Sequence, residues 1–177
     1  MKRLAILALS GAFLVLLGWH ASQQPANPYR LAEQAYLRGD YLEALQYYSY
    51  ASPQGTDPGR QAFNRAAASY QLGLLDQAAE GFEAALGTDD PNRTARASYE
   101  LGNCALRSAC QSAGQARNRD LRTAIAHYDS CMRQRGDQDP ELLENAWHNQ
   151  ELARTLLSQT PREELPSVAD RQQACEH

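Results

Sequence analysis

Tyr36-Leu-Arg-Gly39-Asp-Tyr41-Leu-Glu-Ala44-Leu-Gln-Tyr-Tyr48-Ser-Tyr-Ala51 lies without a gap over Tyr70-Gln-Leu-Gly73-Leu-Leu75-Asp-Gln-Ala78-Ala-Glu-Gly-Phe82-Glu-Ala-Ala85, at an offset of 34 residues. In each copy a glycine joins two helical stretches. A small residue (Ala44, Ala78) then lets the helices approach, an aromatic (Tyr48, Phe82) fills the seam one turn later, and an alanine (Ala51, Ala85) follows. The helices preceding the glycines match as well, with Leu31-Ala32 and Arg65-Ala66 in register. Self-similarity at such a period is the mark of stacked supersecondary units, each unable to bury its apolar face alone.

Working outward, Tyr99-Glu-Leu101-Gly102-Asn103-Cys104 and Ala124-Ile125-Ala-His-Tyr128-Asp-Ser-Cys131 make a third copy. Its paired small sites, Gly102 and Ala124, are 22 residues apart where the first two copies have 12, so ten residues are inserted. They fall within 107–118, rich in Ser, Gln, Arg and Gly, and read as an exposed loop or a helix extension. Four pairs, Asn27-Pro28, Asp57-Pro58, Asp90-Pro91 and Asp139-Pro140, each set an N-cap side chain before a proline at the first helical position. After Pro140, the stretch Asn145-Ala-Trp147-His148-Asn149-Gln-Glu-Leu152-Ala153-Arg-Thr-Leu156-Leu157 is one more amphipathic helix with no partner after it, a cap. No segment alternates apolar and polar residues as a half-buried strand does. The fold class is therefore all-α.

This pattern resembles the tetratricopeptide repeat (TPR), whose period is 34 and which sets small residues and an aromatic at these places. The resemblance implies a helical-hairpin solenoid over 28–158, with repeats at about 28–52, 58–87 and 91–133 and a capping helix at 140–158. The layout also resembles the TPR proteins of bacterial Bat (aerotolerance) and MoxR gene clusters, although Gln150 departs from the Asn-Leu-Glu-Leu pattern usual there. That resemblance implies envelope partners bearing von Willebrand A domains.

Lys and Arg total 17 against 21 Asp and Glu, a formal charge of −4. With Lys2 and Arg3 set aside the body is more acidic still, which gives no electrostatic reason to bind nucleic acid. Those two cations precede an apolar run, Leu4 to Trp19, so residues 1–21 read as either a cleaved signal peptide or a membrane anchor. The flanking charge places the following domain on the periplasmic side of an inner membrane. A cleaved, periplasmic form is the second choice. Residues 159–177 are polar, carry prolines, and read as a flexible tail.

In such a solenoid the first helix of each repeat lines a groove for protein segments. Helical phase gives that groove Tyr29, Arg30, Glu33 and Tyr36 from the first repeat, and Arg60, Phe63, Asn64, Tyr70 and Gln71 from the second. The third adds Arg96, Tyr99, Glu100, Asn103 and Arg107, and the cap adds His148, Asn149 and Leu152. Arginines outnumber glutamates in this set, and aromatics and arginines are common in binding hot spots. The expected occupant is an acidic or carboxylate-bearing segment; the bland alternative is solvated helix faces whose aromatics pack between repeats. The dicarboxylate clamp of chaperone-binding family members does not fit, because Tyr29 and Glu33 occupy two of its places and Glu100 reverses a third.

Of the four cysteines, Cys104 and Cys131 fall where the repeat takes a small side chain. Outside the membrane a Cys104 to Cys110 bridge is the favoured disulfide. His127 and Cys131 have ligand spacing but too few companions for a metal. There is no phosphate loop, nucleophile elbow or HExxH helix. The expectation is a membrane-anchored adaptor binding an envelope protein or peptide segment, without catalytic residues, cofactor or small-molecule substrate. The alternative is an assembly or maturation factor for a periplasmic enzyme.

Overall fold

The computed structural model describes residues 27–51, 57–87, 90–134 and 139–159. These form seven α-helices and no strand: α1 (Pro28–Arg38), α2 (Tyr41–Tyr50), α3 (Pro58–Gln71), α4 (Leu75–Leu86), α5 (Pro91–Gln111), α6 (Gly114–Arg133) and α7 (Pro140–Ser158). The expected anchor at 1–21 and tail beyond 159 lie outside the described residues, as does Cys175. No described helix is long and apolar enough to cross a membrane.

Each odd-numbered helix starts as the Asx-Pro pairs require. Asn27 Oδ1 accepts from the Tyr29 amide, and Asp57 Oδ1 from those of Gly59 and Arg60. Asp90 Oδ1 accepts from Asn92 and Arg93, and Asp139 Oδ1 from Glu141. Proline follows every cap, where a missing N–H leaves no bond unmade.

The chain divides into two compact units, Met1–Ala51 and Ser52–His177. In the first, α1 and α2 form a hairpin. Its turn depends on Gly39, whose φ of 84° is left-handed and open to glycine at little cost. There the Asp40 amide donates to Ala35 O and the Tyr41 amide to Gly39 O, both at 2.9 Å. The second unit builds the same turn between α3 and α4: Gly73 has φ 77°, and the amides of Leu74 and Leu75 donate to Ser69 O and Gly73 O, both at 3.0 Å. The 34-residue offset thus repeats bond for bond.

Each hairpin sets an aromatic of its first helix against one of its second. Tyr29 meets Tyr48 edge-on at 5.7 Å between ring centroids, Phe63 meets Phe82 edge-on at 5.1 Å, and Tyr99 tilts against Tyr128 at 5.9 Å. Alanines supply most of the remaining core, among them Ala32, Ala44, Ala66, Ala78, Ala97 and Ala124, all fully buried. Small side chains bring helix axes close, so a few large rings per hairpin suffice to fill the seam. At two places even a methyl group is too large. A Cβ on Gly81 would lie 2.8 Å from Ala66 Cβ, and one on Gly102 would lie 2.5 Å from the Tyr128 ring.

In the second unit each helix packs on the next in sequence, and α3 also meets α5, as α5 meets α7. The three helices α3, α5 and α7 therefore stand in one row. The inserted residues lengthen α5 and α6 and leave a tight connection at 112–113. Of the two readings of 107–118, the helix extension is the one the structure takes. Asp120 Oδ2 holds the connection by accepting from Ser108 Oγ (2.9 Å) and Ser112 Oγ (3.2 Å), while Arg117 donates to Ala109 O.

Candidate docking groove

Two open recesses lie along the row of α3, α5 and α7. The first, about 350 Å3, is lined by Arg60, Phe63 and Asn64 of α3 and by Asp90, Asn92, Arg93 and Arg96 at the start of α5. The second, about 320 Å3, is lined by Phe63, by Arg96, Tyr99 and Glu100 of α5, and by Asp139, Glu141, Leu142 and Asn145 around the start of α7. Phe63 and Arg96 belong to both. Each volume is at the low end for pockets that enclose a small ligand.

The charges are unevenly shared. In the first recess Arg93 is already engaged, bridging Asp57 and Asp90 with little of its side chain exposed. The same arrangement lowers the Asp57 pKa: desolvation acts to raise it, and the Arg60 amide, the Arg93 guanidinium and the Gly59 amide together outweigh that. Arg60 and Arg96 are exposed. Arg96 touches Asp139 only at 3.9 Å, a separation at which an exposed pair contributes little. The second recess is acidic, with Glu100, Asp139 and Glu141.

Beneath it runs a polar chain. Tyr128 Oη donates to Asn103 Oδ1 (2.8 Å), Asn149 Nδ2 donates to the same oxygen (3.2 Å) and to Tyr99 Oη (3.3 Å), and Asn103 Nδ2 donates to Glu100 Oε2 (3.1 Å). Glu100 is half-buried, and burial raises its pKa while the Asn103 bond lowers it less. Its hydrogen-bond partner is Asn103; among the described residues it forms no ion pair with Lys, Arg or His.

The residues named from helical phase separate into several groups. Tyr29 is buried against Tyr48 and is not presented to a ligand, a correction that follows from the first-helix aromatic facing its own hairpin. Tyr36 is half-buried edge-on to Tyr41, Glu33 is half-buried, and Arg30 is exposed; all belong to the first unit. Arg60, Phe63, Asn64, Arg96, Tyr99 and Glu100 come together in the recesses. Asn103 and Asn149 lie in the polar chain. Arg107 is occupied elsewhere, donating to Tyr70 O (2.9 Å) with its guanidinium 5.2 Å from the Tyr70 ring centre, a cation–π contact that ties α5 to the end of α3. His148, Leu152 and Gln71 are exposed and line neither recess.

Phase reasoning missed Asn92, Arg93, Asp139, Glu141, Leu142 and Asn145. The cap signals could have found most of them, because the first turns of α5 and α7 form the rims. Asn145, which lines the second recess, is one turn before Asn149 of the polar chain, while the buried stripe of α7 runs through Ala146, Gln150 and Ala153.

Cys104, Cys110 and Cys131 are free thiols. The favoured Cys104 to Cys110 bridge is ruled out by the helix itself: six residues of α5 rise about 9 Å, beyond the roughly 7 Å a disulfide spans between Cα atoms. Cys104 and Cys131 are buried, and desolvation pushes their thiols up to about 12 and about 11. Gln150 is also buried, and its Nε2 donates to Ile125 O at 3.2 Å. Burial lowers the His127 pKa against the opposing pull of Glu83. Among the described residues no group of three or more His, Cys, Asp or Glu is placed to hold a metal. The chain matches no protein-family model, and no curated protein matches it in sequence.

Proposed function

We propose that this protein is a TPR-type docking protein, tethered to the inner membrane through residues 4–19, that receives a segment of another envelope protein in the recesses along α3, α5 and α7. The observation that carries this reading is that row of helices, whose open recesses expose unlike charges around the Phe63 ring. The turn geometry repeated at Gly39 and Gly73 supports the repeat assignment, and the TPR resemblance supports a groove that binds protein segments. The likeness to Bat-cluster proteins favours a von Willebrand A domain protein as the partner. On this reading the chain has no reaction of its own and acts by bringing envelope proteins together.

Site-specific photocrosslinking in cells producing the full chain tests the proposal. A photoreactive residue replacing Asn145, which lines the second recess, should give a discrete adduct that the same residue at the exposed Arg122 does not. Arg60→Glu with Arg96→Glu should abolish that adduct. Equal adducts from both positions, or an adduct indifferent to the reversals, would overturn the reading.

A further inference from the structure

The first hairpin differs from its sequence twin in what it shows to solvent. Leu37, near the end of α1, is 84% exposed, and Leu42, in the first turn of α2, is 62% exposed. At the 34-residue offset their counterparts are Gln71 and Asp76, both exposed as well, so the hairpin architecture requires no apolar side chain at either place. The second hairpin's exposed leucines, Leu72 and Leu74, are 38% and 46% exposed and match Arg38 and Asp40 instead. Between Leu37 and Leu42 the charges compensate one another, because Arg38 contacts Asp40 at 2.9 Å and Glu43 at 2.8 Å. Tyr50, also well exposed, ends α2 beside the start of α1, as the Tyr29–Tyr48 contact shows. Apolar groups thus stand out at both ends of one hairpin.

The chain leading into α1 identifies what covers them. Seven residues, 20–26, separate the apolar run ending at Trp19 from Asn27. Whatever their conformation, they hold Asn27 no more than about 28 Å from Trp19. The 11 residues of α1 add only about 16 Å to that reach. With the run in a bilayer, the hairpin is confined to the membrane surface, where a short tether makes even a weak contact form readily.

We infer that the α1–α2 hairpin rests on the lipid bilayer, with Leu37 and Leu42 entering its apolar edge and Tyr50 at the level of the headgroups. This rests on the tether proposed above and adds a second membrane contact to it. Leucine and tyrosine suit those two depths. The turn carries no cation besides Arg38, which is already engaged, so the contact depends on apolar burial and not on anionic headgroups.

The test is photocrosslinking of the full chain reconstituted into phosphatidylcholine vesicles, with adducts identified by mass spectrometry. A photoreactive residue replaces Leu14, Leu37, Leu42, Gln71 or Asp76, one at a time. Position 14 reports the tether and should capture lipid. Positions 37 and 42 should capture lipid too, well above their counterparts 71 and 76, and adding phosphatidylglycerol should not raise the yield. Leu42→Asp, the residue the second hairpin carries there, should lower the lipid adduct at position 37 by at least about threefold, since losing one leucine's burial shifts a contact equilibrium about tenfold. Circular dichroism verifies that this variant keeps its helices. Lipid captured at 14 but not at 37 or 42 would overturn the inference and leave the tether standing. So would equal lipid capture at 37, 42, 71 and 76, or adducts at 37 and 42 to a second copy of the chain in place of lipid. No lipid adduct at 14, 37 or 42 would overturn both.

Discussion

Gly102→Ala sets two well-known effects against each other, and the structure decides the sign. In an exposed helix interior the change stabilises by about 1 kcal/mol, since alanine is the better helix former. Here the added methyl would lie 2.5, 2.7 and 2.9 Å from three ring atoms of Tyr128, where ordinary contact begins near 3.4 Å. That ring is fully buried, so it has no open space to enter. Its hydroxyl is held at 2.8 Å by Asn103, so tilting the ring also puts the polar chain under the groove at risk. Overpacking costs typically 1–3 kcal/mol and a lost hydrogen bond about 1 kcal/mol; against the propensity gain of about 1 kcal/mol, the net loss comes to about 2 kcal/mol. With a urea slope of about 2 kcal/mol per molar, the unfolding midpoint should fall by about 1 M. Urea titration followed by circular dichroism reads this directly. In a Tyr128→Leu background, which removes the ring, Gly102→Ala should become neutral or stabilising, a coupling expected only of residues in contact. A midpoint that rises when Gly102→Ala is made in the wild type, or an equal effect in both backgrounds, would refute the packing argument.

Gly73→Ala places a side chain at φ 77° and should cost about 1–2 kcal/mol by urea titration, whereas Gly87→Ala, whose added methyl meets nothing and whose φ is negative, should be close to neutral. Glu100→Gln should stabilise at neutral pH. Burial raises the Glu100 carboxyl above its ordinary 4.5, so its contribution is present below that pH and is lost as pH rises through the raised value. Melting curves of wild type and Glu100→Gln should therefore coincide near pH 3.5 and diverge at pH 7 in favour of the variant; a variant less stable at pH 7 would contradict the assignment. Among Cys104, Cys110 and Cys131, alkylation at pH 8 followed by peptide mapping should find only Cys110 modified in the folded chain, because the other two are buried with thiols held near pH 11 to 12. Prompt modification of Cys104 would show that its end of the core opens readily.

The helical architecture was legible because its determinants are local. An Asx-Pro pair satisfies orphan amides within three residues of itself, and a glycine with positive φ reverses the chain whatever lies beyond. Both devices act at Asp57, Asp90 and Gly73 as the sequence indicates. The alanine and aromatic series likewise named the seams, so Tyr48, Phe82 and Tyr128 are core residues as expected. Helical phase was less secure at Tyr29, where a ring assigned to the groove turned inward onto Tyr48. His148 is exposed and lines neither recess, whereas Asn145, one turn before Asn149, lines the second. An error of one residue rotates a side chain by about 100°, enough to exchange groove for solvent.

The charge pattern of the groove was beyond what any linear reading could supply. Arg93 and Arg96 are three residues apart and chemically alike, yet Asp57, 36 residues upstream of Arg93, occupies one guanidinium and leaves the other exposed. Glu100 meets Asp139 and Glu141 in one recess, and that acidic rim exists only because α7 packs on α5. Helices, turns and repeat period depend on neighbours in the chain, whereas which charges remain available to a partner depends on neighbours in space, and only folding assembles those.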